Sequence, residues 1–188
     1  RAHAPVSAWP ASSTICAGSN VTFTANVQDA GSTPMYQWKL NSASVGGNPI
    51  TYSTSSLATN DTVWCVVTSS STCAVPNSSI SNKLVTGVNA VVTPNISISV
   101  NNNNVCASSS VIFTATSNNG GNNPMYQWKV NGTNVGTNSA SYGSTSLANN
   151  DVVSCVLTSN VACATTTTAS SNAITMTVTP ASSPTVTV

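Results

Sequence analysis

The chain spells Pro-Met-Tyr-Gln-Trp-Lys twice, at 34–39 and at 124–129, and the rest of it keeps the same offset of 90. Cys16, Cys65 and Cys73 become Cys106, Cys155 and Cys163; Tyr52 becomes Tyr142, Asp61 becomes Asp151 and Val88 becomes Val178. Without a gap, residues 15–88 and 105–178 share 34 identities in 74 positions. A period this long exceeds the roughly 20–50-residue units of most solenoids and suits a small globular domain. Whatever one copy folds into, the other must fold into as well. The expected organisation is one repeat over 1–91 and a second over 92–181. The tail 182–188 reads as the first strand of a following repeat, because Pro184 maps onto Pro94, or as a strand donated to a neighbouring molecule's sheet.

Within each repeat the apolar residues alternate at period two, the pattern of half-buried strands. Val21, Phe23 and Ala25 share one face, as do Val111, Phe113 and Ala115 in the second copy. Tyr36, Trp38 and Leu40 share another, as do Val63, Cys65 and Val67; Ile96, Ile98 and Val100; and Ile174, Met176 and Val178. No stretch keeps helical spacing over three turns, and the connections are rich in Gly, Asn, Ser and Pro. The fold class predicted is all-β, with about seven short strands per repeat and a first strand in residues 5–9. With a tryptophan on the third long strand, that count points to two tandem immunoglobulin-like sandwiches. Ala25 and Val67 stand where antibody domains place their inter-sheet disulfide, so apolar packing must join the sheets there.

Charge excludes much. Only Arg1, Lys39, Lys83, Lys129, Asp29, Asp61 and Asp151 are formally charged, a net +1, and His3 is the one histidine. That balance supplies no basic footprint for nucleic acid, and no apolar run is long enough to insert into a membrane. Catalysis by paired carboxylates, or by a nucleophile with a histidine, lacks its residues. No cofactor or metal is expected, since no CxxC occurs and calcium needs clustered acids. Asp61 and Asp151 are expected to cap a turn. The sequons at Asn20, Asn60, Asn77, Asn95 and Asn131 fit a secreted, extracellular protein, as do the cysteines.

The string Cys16-Ala-Gly-Ser-Asn-Val-Thr-Phe-Thr-Ala25, Tyr36-Gln-Trp-Lys-Leu-Asn41, Leu57-Ala-Thr-Asn-Asp61 and Val63-Trp-Cys-Val-Val67 resembles the Ig-like repeats of very large cell-surface proteins of Bacteroidota, gliding and adhesion filaments among them. The resemblance covers nearly the whole chain. It implies a non-catalytic structural module of a stalk or filament, meeting further repeats or other copies of itself end to end. It also implies that an Asp-Ser/Thr-apolar pattern can carry an O-linked glycan; Asp61-Thr62-Val63 matches, which marks Thr62, whereas Asp151-Val152 does not.

Six cysteines in two sets of three leave several disulfides open. Within a module these are Cys16–Cys65, Cys65–Cys73, which would staple a hairpin, and Cys16–Cys73, which strand lengths make strained. A further alternative pairs Cys16 with Cys163 across a joint between modules. A second functional class is an adhesin or carbohydrate-binding module for a surface glycan. Its site would lie near Trp64, which alternation places outward beside Gln37 and Lys39, where the second copy has Ser154.

Overall fold

The computed structural model describes residues 7–10 and 14–186, and the chain divides into two compact units, 1–91 and 92–188. Regular structure among the described residues is entirely β. The first unit contains β1 (Ser7–Pro10), β2 (Ile15–Cys16), β3 (Val21–Asn26), β4 (Met35–Leu40), β5 (Ala43–Val45), β6 (Thr51–Thr54), β7 (Thr62–Thr68), β8 (Ser78–Ile80), β9 (Leu84–Val85) and β10 (Val88–Asn89). The second repeats them as β11 (Asn95–Val100), β12 (Asn104–Cys106), β13 (Val111–Asn118), β14 (Met125–Val130), β15 (Thr133–Val135), β16 (Ser141–Ser144), β17 (Val152–Thr158), β18 (Thr168–Ser170), β19 (Ile174–Thr175) and β20 (Thr177–Thr179).

Each unit is a two-layered sandwich. One layer is β1-β3-β6, repeated as β11-β13-β16. The other is β5-β4-β7-β8 with β9 also on β7, repeated as β15-β14-β17-β18 with β19 on β17. Parallel pairs β2/β10 and β12/β20 join the beginning of each module to its end. The first strand expected in 5–9 is β1, shifted toward Pro10, with residues 5 and 6 outside the described region. Residues 181–186 belong to no strand, and 187–188 lie outside the described residues, as does His3.

The alternation read from sequence is the alternation that packs. Phe23, Trp38, Val63, Cys65 and Val67 have no exposed surface, and neither do Phe113, Trp128, Val153, Cys155 and Leu157. Ala25 and Val67 are both buried, so apolar contact occupies the layer where antibody domains are cross-linked. At the centre of each unit lie three aromatic rings. Phe23–Trp38, Phe23–Tyr52 and Trp38–Tyr52 centroids are 6.4, 6.3 and 6.0 Å apart. In the second unit the same distances are 6.1, 6.0 and 5.8 Å. Such pairs add about 0.5–1.5 kcal/mol each beyond the area they bury. The tryptophan N–H groups are satisfied by backbone, Trp38 Nε1 donating to Pro49 O at 3.1 Å and Trp128 Nε1 to Ser139 O at 2.9 Å.

Ten segments per unit among the described residues, where about seven strands were expected, reflect broken strands rather than added ones. The last strand is interrupted at Ser81, whose Oγ accepts from Cys65 N at 2.9 Å and donates to Asn82 O at 2.8 Å. A side chain thus replaces one rung of the ladder. Ser171 does the same for Cys155 N at 2.9 Å.

Candidate functional site

The outer face of the β4–β7 sheet carries the residues marked from sequence. Trp64 stands directly opposite Lys39, and Gln37 opposite Val66. Trp64 is half-buried rather than open, because Lys83 Nζ lies over its ring, 4.8 Å from the centroid. Lys83 escaped the sequence reading, since it lies beyond the break at Ser81. The one available signal is that both members of the pair change together: Trp64 and Lys83 become Ser154 and Ala173.

The remaining polar groups on this face are committed internally. Gln37 Nε2 donates to Trp38 O at 3.0 Å and to Val45 O at 3.3 Å. Lys39 Nζ donates to Ser44 Oγ at 2.8 Å. A cleft of about 300 Å³ adjoins them, walled by Met35, Gln37, Asn48 and Val66. Its counterpart of about 320 Å³, walled by Met125, Gln127, Asn138 and Thr158, makes it a property of the repeat. In both copies an asparagine frames the cleft by accepting the N–H of the facing tyrosine, Asn48 from Tyr36 and Asn138 from Tyr126. Thr62 lies at the start of β7, half-buried, opposite Val85.

The repeated aspartate does more than cap a turn. Asp61 Oδ2 accepts from Ala58 N at 2.8 Å, as expected, while Oδ1 accepts from Asn41 Nδ2 at 2.6 Å. Asn41 Oδ1 in turn accepts from Thr62 N at 2.9 Å. The same three bonds recur through Asp151, Ala148, Asn131 and Val152 at 2.8, 2.7 and 2.9 Å. The Ala58 N–H first, and the Asn41 amide second, hold the Asp61 carboxyl below its ordinary pKa. These carboxylates are structural locks.

The cysteines divide into two classes. Cys16 and Cys163 are disulfide-bonded. Cys65, Cys73, Cys106 and Cys155 are thiols. The Cys65–Cys73 staple is therefore not formed, nor is Cys16–Cys65 or Cys16–Cys73. The physical reason is direction: the Cys65 side chain points into the core, whereas Cys73 is exposed in a turn. Burial pushes the Cys65 and Cys155 thiols up to about 11, so both remain protonated and inert near neutrality.

In each unit the pairing of the second strand with the last is the remaining feature. Val88 pairs with Ile15 and Asn89 with Cys16, and Ala17 N donates to Asn89 O at 2.9 Å. In the second unit Asn104, Val105 and Cys106 pair with Thr177, Val178 and Thr179, extended by Thr177 N to Asn103 O and Ala107 N to Thr179 O, both 2.8 Å. The chain enters such a ladder at one end and leaves it at the other. Tension between the ends then loads every rung at once in shear.

The chain matches no protein-family model and no curated protein. Solved structures similar to it include the three N-terminal domains of the bacteriophage RB49 Highly Immunogenic Outer Capsid protein, at 16% identity and TM-score 0.42. That match covers 93% of this chain but 59% of the phage chain. The fibronectin(III)-like modules of Clostridium thermocellum CbhA match at 15% identity and TM-score 0.43, over 91% of this chain and 94% of theirs. A chain in the structure of a mouse coronavirus receptor-binding domain complexed with its murine receptor matches at 14% identity and TM-score 0.50, over 93% and 100%. At such identities the likeness concerns fold alone, and that fold is two immunoglobulin-like β-sandwiches in tandem.

Proposed function

We propose that the chain is a non-catalytic, load-bearing repeat unit of an extracellular stalk or filament on a bacterial cell surface, joined end to end with further repeats or copies. The observation that carries this reading is the parallel pairing of the second and last strands in both modules, β2 with β10 and β12 with β20. A ladder loaded in shear yields only when its hydrogen bonds fail together, which suits a module under tension along the chain. The disulfide state of Cys16 and Cys163 supports an oxidising, extracellular setting, and the motif string resembling Bacteroidota surface repeats supports the bacterial one. An O-glycan on Thr62 belongs to the same proposal and is read as added intact mass in native material.

Single-molecule pulling under reducing conditions tests the mechanical role. Two force peaks are expected, each releasing on the order of 30 nm, since about 90 residues extend at roughly 3.6 Å apiece. Extension without resolvable peaks would sink the load-bearing reading.

A second reading, a glycan-binding module, is favoured by one observation: Trp64 keeps partial exposure on the outer sheet of the first module only. A glycan array of the native chain and of Trp64→Ala separates the readings. Binding lost in the variant supports a site, and silence from both leaves the spacer.

A further inference from the structure

The two bonded cysteines are of different kinds, and each has an unbonded twin. Cys16 lies at the end of β2, paired with Asn89, with Ala17 N donating to Asn89 O at 2.9 Å. Its twin Cys106 lies at the end of β12, paired with Thr179, with Ala107 N donating to Thr179 O at 2.8 Å. Cys163 lies in a turn closed by Ala164 N to Val161 O at 3.3 Å; its twin Cys73 lies in a turn closed by Ala74 N to Ser71 O, also at 3.3 Å. The base-strand cysteine is thus bonded in the first module, and the loop cysteine in the second. Cys106 and Cys73, held by the same backbone frames, are exposed thiols.

Both surroundings favour a protein partner. Beside Cys106 opens a cleft of about 440 Å³, lined by Ala107, Ser108, Leu147, Ala148, Val178 and Pro180. Beside Cys73 stands Val75, an apolar side chain 82% exposed. A loop carrying a cysteine and an apolar tip two residues later complements a cleft whose wall starts at Ala107, the residue after the other cysteine.

We propose that Cys106 of one copy and Cys73 of another form an intermolecular disulfide, with the loop around Val75 seated in the cleft beside Cys106. The contact is heterologous, the β12 end of a second module against a first-module loop, so it repeats from copy to copy and builds a filament where its rotation does not close into a ring. In the covalent step the Cys73 or Cys106 thiolate attacks a small-molecule disulfide, releasing one thiol and leaving a mixed disulfide. The partner cysteine then displaces the second thiol. Two protein thiols give up two protons and two electrons, and the oxidant disulfide becomes two thiols. The buried Cys65 and Cys155 take no part.

The proposal deepens the stalk reading by assigning its covalent joint. Its test is independent of the pulling experiment, which runs under reductant and reads each module alone. The native 188-residue chain, Cys73→Ser and Cys106→Ser are each incubated with oxidised glutathione at mildly alkaline pH. Products are then separated without reductant and mapped by mass spectrometry. Native protein is expected to form a ladder of multimers, collapsed by dithiothreitol and containing a Cys73–Cys106 peptide. Each variant alone is expected to stay monomeric, while an equimolar mixture of the two yields a dimer and stops there. Unchanged far-ultraviolet circular dichroism confirms that both variants are folded. A native chain that stays monomeric, with glutathione adducts or an internal Cys73–Cys106 peptide, overturns the proposal. So do single variants that dimerise as readily as their mixture.

Discussion

Asn41 donates its amide to the Asp61 carboxylate at 2.6 Å while accepting the Thr62 N–H at 2.9 Å, tying the β4–β5 hairpin to the corner that starts β7. The Asp61 pKa is lowered from 3.8, so the carboxylate favours the folded state. That stability is present above the unfolded value and is lost as pH falls through the folded one. Chemical denaturation between pH 7 and pH 2 is expected to show a stability loss beginning near 5, and a smaller loss in Asp61→Asn. Identical acid profiles for the two proteins would remove the lock from the account.

The same hairpin offers a stabilising change. Its central residues are left-handed in both modules: Asn41 and Ser42 at φ 49° and 75°, Asn131 and Gly132 at φ 51° and 80°. Two-residue hairpin loops require this, and Asn-Gly suits it best. Ser42 is the strained member, since a non-glycine residue there costs roughly 1–2 kcal/mol. Ser42→Gly is expected to stabilise the first module by about 1 kcal/mol, after the entropy glycine loses on folding. The urea midpoint of that module's transition measures it, and Gly132→Ser should move the second module oppositely.

Much of this was legible beforehand. Period-two alternation located Phe23, Trp38, Val63 and Val67 in the core because burial on one face leaves a direct trace in sequence. The breaks at Ser81 and Ser171 leave none, since a hydroxyl replacing a ladder rung has no periodicity. Losing that register hid Lys83, and with it the partial cover over Trp64. Asn41 and Asn131 were visible as repeated residues, but their bonds to Asp61 and Asp151 join segments whose proximity only the sandwich creates.

The six cysteines separate into three kinetic classes. At pH 8 under native conditions, Ellman's reagent is expected to react promptly with the exposed Cys73 and Cys106. Cys65 and Cys155, buried and raised to about 11, should respond only after unfolding. Cys16 and Cys163 should respond only after reduction. Rapid modification of Cys65 in the folded chain would contradict its place between the sheets.

The Lys83–Trp64 contact is testable by a double-mutant cycle with Lys83→Ala and Trp64→Leu. A cation over an aromatic ring at an exposed site contributes about 0.5–1 kcal/mol. A coupling of that size is expected, together with a shift in tryptophan emission on Lys83→Ala. Additive effects of the two substitutions would mean the ammonium and the ring do not interact.

Closing each module by laying its last strand beside its second has a cost during synthesis. β1 and β11 can pair early with β3 and β13, but β2 and β12 must wait until nearly the whole module has left the ribosome, and such non-local closure is slow. In a polypeptide made of look-alike segments, the waiting strand also meets the final strands of its neighbours, inviting exchanged partners. The strands that meet differ between copies, Val88-Asn89 on Ile15-Cys16 against Thr177-Val178-Thr179 on Asn104-Val105-Cys106, which gives each nascent module a means of recognising its own ending.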